Sequence, residues 1–124
     1  MSVATRALVP MAFVASVEGS IAFYRGLGFE VHNTFQPSGS ARLSWAWLRS
    51  GPANLMVSIA SGPVDAGVQA VLFYLYVADV AATKAELESR GVATGALQYP
   101  FYAPKGEFRC IDPDGYVLMI MQAD

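Results

Sequence analysis

The residues able to do chemistry in this chain are few and far apart. His32 is the only histidine, and Glu30 is the only acid near it. A metal site built on His32 would lack partners, so it reads as an ordinary half-exposed strand residue. Cys110 is the only cysteine and follows Arg109, a cation that could lower a thiol pKa. On an alternating strand those two side chains point to opposite faces, so Cys110 reads as a small buried hydrophobe. No serine–histidine–acid set can be built without His32. The glycines cluster at turns and form no phosphate loop. Glu86 and Glu88 read as the solvent face of a helix. What remains is the chemistry of binding: aromatic rings, methionines and a few charged groups that could orient a ligand.

The bulk composition bounds the rest. The 124 residues suit one compact domain or two small halves. Hydrophobic residues make up 54% and charged ones 15%, against roughly 25% charged in an average domain. So much apolar surface on a small chain implies a partner or a lined cavity. A net charge of −2 gives no basic footprint for nucleic acid. No apolar run reaches the roughly 18 residues of a membrane span. Arg6 followed by residues 7–15 resembles a signal peptide, but Pro10 interrupts it and the segment has an internal copy, so a buried first strand is the better reading. The single cysteine excludes an internal disulfide and fits a reducing, cytoplasmic setting.

These candidate residues must be positioned by two similar sets of elements. The first is a strand at 7–15, a helix at 17–27 capped by Ser16 and ended by Gly28, and strands at 29–35, 41–49 and 53–60. Val17, Ile21 and Tyr24 fall on one helix face. The second is a strand at 69–77, a helix at 80–90 capped by Asp79 and ended by Gly91, a weaker strand at 92–98, and two closing strands. Asp112-Pro113-Asp114-Gly115 is the turn between those last two. Val14 and Val77, Ser16 and Asp79, Gly28 and Gly91, Leu55 and Leu118, and Met56 and Met119 are all 63 positions apart. The chain therefore reads as one domain, 1–124, of two βαβββ modules (1–60 and 68–124) joined by a linker at 61–67. Neither module could bury its sheet alone.

Two motifs carry a family resemblance: Ser20-Ile21-Ala22-Phe23-Tyr24-Arg25-Gly26-Leu27-Gly28-Phe29, and Glu107-Phe108-Arg109 running into Asp112-Pro113-Asp114-Gly115-Tyr116. With the repeat, they make the chain similar to the glyoxalase/bleomycin-resistance family of the vicinal oxygen chelate superfamily. The resemblance implies an α+β fold, two tandem βαβββ modules curled into a half-open barrel around a concave crevice, and often a homodimer. Enzymes of the family hold a divalent metal with His and Glu. The matching positions here are Val9, Met56, Leu72 and Met119, which cannot replace imidazole and carboxylate. No metal and no cofactor are therefore expected.

Strand alternation from those positions gives the expected crevice lining. Met11 and Phe13 follow from Val9, Tyr74 and Tyr76 from Leu72, Asn54 and Ser58 from Met56, and Val117 and Met121 from Met119. Family placement adds Glu107 and Arg109 to the groove, with Phe108 and Cys110 beneath a helix, and an aromatic lid at Phe101-Tyr102. By the repeat, Ser44 and Ala46 face the groove while Trp45 and Trp47 lie behind it, unless a bulge turns both tryptophans inward. The expected ligand-binding set is thus Phe13, Met56, Tyr74, Phe101, Tyr102, Glu107, Arg109 and Met119; the alternative is that these side chains fill a closed core. The resulting expectation is a protein that sequesters a small, partly aromatic molecule without chemistry, as antibiotic-resistance members do. With Glu107 the only acid placed in the groove, a neutral or weakly charged ligand fits better than cationic bleomycin. The alternatives are a lyase, isomerase or dioxygenase of the same superfamily, or a module that regulates another protein.

Overall fold

The computed structural model describes residues 3–124 and divides into two compact units, Met1–Pro63 and Val64–Asp124. Met1 and Ser2, the start of the expected first module, lie outside the described residues. In each unit a short polar residue starts the helix and a glycine ends it. Ser16 Oγ accepts the Gly19 N–H at 3.0 Å to open α1 (Val17–Arg25). Asp79 Oδ1 accepts the Ala82 N–H at 2.9 Å to open α2 (Val80–Ser89). Each bond satisfies a donor that the first helical turn leaves free, which is why serine and aspartate stand there. Gly28 and Gly91 then leave their helices with φ of 87° and 82°.

The first unit holds β1 (Met11–Val14), α1, β2 (Glu30–Phe35), β3 (Trp45–Ser50) and β4 (Ala53–Ile59). The sheet order is β1-β4-β3-β2, with β1 parallel to β4 and the other pairs antiparallel. Val17, Ile21 and Tyr24 of α1 are buried, as are Ala12, Val14, Ala46, Leu48, Leu55 and Val57 of the sheet. These residues alternate along their strands, so one face of the sheet forms the core with α1. The β2 strand is exposed along its length, and its register shifts between Val31 and Asn33, leaving His32 as the extra residue of a bulge.

The second unit holds a 3-10 turn at Ala66–Val68, β5 (Leu72–Val77), α2, β6 (Glu107–Ile111) and β7 (Val117–Gln122). The sheet order is β5-β7-β6, with β5 parallel and β6 antiparallel to β7. Phe108, Cys110, Leu118 and Ile120 are buried beneath Val80 and Leu87 of α2. Asp112 shapes the closing turn, its Oδ1 accepting the N–H groups of Asp114 and Tyr116, both at 2.9 Å. Gly115 has a φ of 86°, and a Cβ placed there would collide with Ala66 Cβ. No side chain fits that approach.

Several expected elements differ. The segment 92–98 forms no strand of its own and makes only bridges from Thr94 to Cys110 and Gln98 to Glu107. Its Gly95 comes so close to β6 that its N–H reaches Arg109 O at 2.7 Å, and a glycine at such an approach weakens regular pairing. The first strand begins at Met11 rather than residue 7, and β5 at Leu72 rather than 69, after a 3-10 turn at Ala66–Val68 capped by Asp65. β3 begins at Trp45 rather than 41, because Ser40 Oγ holds the Arg42 backbone in a turn. Neither sheet closes on itself: β1 and β2 are the edges of one, β5 and β6 of the other.

Candidate functional site

Each sheet buries one face under its helix and leaves the other open. In the second unit, cross-strand partners define the open face: Leu72 with Val117, Tyr74 with Met119, Tyr76 with Met121, Arg109 with Met119, and Glu107 with Met121. Leu72, Tyr74 and Tyr76 are 49%, 50% and 67% exposed, an unusual amount of apolar surface for one strand to leave in water. Arg109 is exposed on the same face, whereas Phe108 and Cys110 on either side of it are buried. Burial, with the Asp112 carboxylate nearby, pushes the Cys110 thiol up to about 11, so it is neither a nucleophile nor a ligand at neutral pH.

One end of this face is covered by the loop 99–106. Gly106 pins the loop to β6: it adopts a φ of 114°, and a Cβ there would meet Tyr99, Val80 and Leu97 at 3.2 to 3.4 Å. Its N–H bonds Ala103 O and its carbonyl accepts the Gln122 N–H, tying the loop to β7 as well. The loop buries Glu107 and Met121 to 5% and 6% exposure. Tyr102 lies over Glu107 and donates its phenol to Glu107 Oε2 at 3.0 Å. That hydrogen bond, followed by desolvation and the carboxylate's charge, raises the Tyr102 pKa above the ordinary 10.0. Glu107 Oε1 is buried without a hydrogen-bond partner. Beside this pair lies a concavity of about 400 Å³ lined by Tyr74, Tyr76, Tyr102, Lys105, Met121 and Gln122, among others.

In the first unit the open face carries Met11 and Phe13 of β1 beside Met56 and Ser58 of β4. Here the structure reverses one expectation. Trp45 pairs with Ser58 and Trp47 with Met56, so both tryptophans share the open face, while Ala46 is fully buried on the helix side. The expectation of Ser44 and Ala46 in the groove came from applying the 63-residue offset to β3. Met56 and Met119 are 63 apart, but their cross-strand partners Trp47 and Arg109 are 62 apart. The turn in the second unit is one residue longer, and a slip of one residue moves every side chain to the other face. The bulge at His32 in β2 is not the cause. Trp47 Nε1 donates to Asn54 Oδ1 at 2.9 Å, and His32 meets the Trp47 ring edge-on at 5.2 Å, with Arg49 Nη1 3.1 Å from His32 Nδ1.

The eight expected site residues thus fall into three groups. Phe13 and Met56 lie on the open face of the first unit. Tyr74, Met119 and Arg109 lie on that of the second, with Tyr102 and Glu107 bonded at its covered end. Phe101 is 95% exposed at the loop tip, its ring edge-on to that of Tyr102 at 5.4 Å. Tyr76 was read as sharing this face but not as a site residue, and Lys105 and Gln122 carried no signal because a loop and a strand end, not alternation, bring them to the concavity. The four positions where relatives would hold a metal carry Val9, Met56, Leu72 and Met119, which offer no imidazole or carboxylate, and among the described residues no three His, Cys, Asp or Glu side chains group to hold an ion. The residues present do not fit a metal.

A family model described as the Glyoxalase/Bleomycin resistance protein/Dioxygenase superfamily matches residues 7–120. The chain is similar in structure to a bleomycin resistance determinant encoded on the transposon Tn5, with a TM-score of 0.76 and 21% identity, covering 97% of this chain and 99% of that one. It is similar to a bleomycin-binding protein solved with bleomycin, with a TM-score of 0.74 and 22% identity, covering 97% and 100%. An antibiotic binding protein from a Streptomyces species is matched at a TM-score of 0.73 and 23% identity over all of both chains. No curated protein sequence matches the chain.

Proposed function

The chain belongs to the glyoxalase/bleomycin resistance protein/dioxygenase superfamily, and on that premise we propose that it binds and sequesters a small, partly aromatic molecule without transforming it. The observation that carries this reading is the open face of the second unit. There Tyr74, Tyr76 and Tyr102 stand exposed around a concavity of about 400 Å³, next to Met121 and the Tyr102–Glu107 pair. A flat ring stacked there would gain on the order of 1 kcal/mol per aromatic contact beyond the area it buries. Arg109, exposed two residues along β6 from Glu107, would meet an acceptor on the ligand's edge. The fold is shared with a bleomycin-binding protein and an antibiotic binding protein, which supports a binding role on this scaffold. Apolar side chains at the four metal positions support binding over chemistry.

A thermal-shift screen of planar aromatic compounds tests the proposal. A ligand at 100 times its Kd adds about 2.7 kcal/mol. For 124 residues that raises Tm by about 10 °C at the usual unfolding entropy per residue. If no planar compound raises Tm while a divalent metal does, the proposal is wrong. We further propose a homodimer in the cytoplasm. Phe13, Phe35, Leu72, Tyr76 and Ile111 are each more than a third exposed, and a second copy would cover part of that surface. Sedimentation as a 13.3 kDa monomer at micromolar concentration would refute the dimer. Among the described residues no helix is long and apolar enough to cross a membrane.

A further inference from the structure

Glu107 is 5% exposed, yet only one of its two carboxyl oxygens has a hydrogen-bond partner. Oε2 accepts the Tyr102 phenol at 3.0 Å, while Oε1 is buried with no hydrogen-bond partner. A carboxylate offers about four lone-pair sites, and leaving one oxygen dry is costly unless something arrives to fill it. The cations nearby do not. Lys105 Nζ is drawn to Asp124 Oδ1 at 3.4 Å, and Arg109 lies exposed two positions along the strand. The carboxylate does not itself line the concavity but is hydrogen-bonded to Tyr102, which lines it with Tyr74 and Tyr76.

We infer that Glu107 Oε1 is a subsite for a planar N–H cation, an amidinium or guanidinium attached to a flat ring, for which Tyr102 acts as the movable cover. This rests on the reading of the face as a binding site and names the ligand group that the site selects. An N–H cation would make a charge-assisted bond to Oε1, stronger than a neutral one. The surrounding tyrosine rings would attract the same charge through their faces. An anionic group placed there would face an uncompensated carboxylate, so the subsite discriminates by repulsion as well as attraction. Tyr102 is 55% exposed and can turn aside without unpacking a core.

The probes are benzamidinium and its neutral isostere benzamide, titrated by NMR against wild-type protein, Glu107→Gln and Tyr102→Phe. The expected result is that benzamidinium binds wild-type protein at least tenfold more tightly than benzamide and shifts the Glu107 side-chain carboxyl carbon. The preference should vanish in Glu107→Gln and persist in Tyr102→Phe, which keeps the ring but frees Oε2. Equal binding of the two probes, an unshifted Glu107 carboxyl, or a preference that survives Glu107→Gln overturns the inference while leaving the aromatic binding face intact. Failure of both probes to perturb Tyr74 and Tyr102 overturns the inference and the binding proposal together. The carboxyl resonance is read on wild-type protein, so the test stands even if Glu107→Gln folds poorly.

Discussion

Replacing Phe108 by alanine and its neighbour Arg109 by methionine should separate the two faces of β6 by their thermodynamic consequences. Phe108 is 1% exposed and packs beneath α2. Truncating a buried phenylalanine costs about 3–5 kcal/mol, because transfer free energy and cavity terms add. With an unfolding entropy of about 0.26 kcal/mol per kelvin for a chain of this length, a loss near 4 kcal/mol lowers Tm by about 15 °C. Arg109 is exposed and joins none of the ion pairs among the described residues, so Arg109→Met should change stability by no more than about 0.5 kcal/mol. That is a Tm change of about 2 °C or less. Its effect should appear in ligand affinity instead, about tenfold or more, since a charged hydrogen bond in an excluded site is worth roughly 1.5–3 kcal/mol. Calorimetry gives both transition temperatures, and a titration with the best compound from the thermal screen gives the affinities. An Arg109→Met variant as unstable as Phe108→Ala would refute the reasoning, because it would place the guanidinium in the core and reverse the register of β6.

Gly115→Ala should destabilise by more than the roughly 1–3 kcal/mol of a strained backbone alone, since the added Cβ also collides with the Ala66 backbone at 2.5 Å; denaturant melts showing a loss below 1 kcal/mol would contradict this. Cys110 should ignore a thiol reagent at pH 8 until the protein unfolds, its pKa standing near 11. Because that value is raised above the ordinary 9.0, the stability it reflects is intact below pH 9 and declines as pH rises through 11. The Tyr102 phenol should ionise above the ordinary 10.0 and return toward it in Glu107→Gln, measured by ultraviolet titration of wild type against the variant; an unchanged curve would show that the hydrogen bond does not form. EDTA should leave the melting temperature of the purified protein unchanged, given the apolar side chains at Val9, Met56, Leu72 and Met119; a fall of several degrees would reveal a metal bound elsewhere.

What the sequence determined by itself is local or periodic. Ser16 and Asp79 cap their helices because each side chain needs only the backbone three residues on. Period-two alternation put Tyr74 and Tyr76 on one face of their strand and set Arg109 opposite Phe108 and Cys110 on theirs, while the family resemblance said which of those faces is the groove and which positions would hold a metal. Tertiary structure decided what depends on counting across a turn or on a loop folding back. The side on which Trp45 and Trp47 stand hung on a one-residue difference between two turns, which the offset of their flanking strands could not reveal. The burial of Glu107 came from loop 99–106, pinned by Gly106 and closed by the Tyr102 phenol, and nothing in the spacing of a surface-looking loop requires it to lie over a carboxylate. Alternation fixes the face on which a side chain emerges; only the packing of the chain beyond the strand decides whether that face meets water.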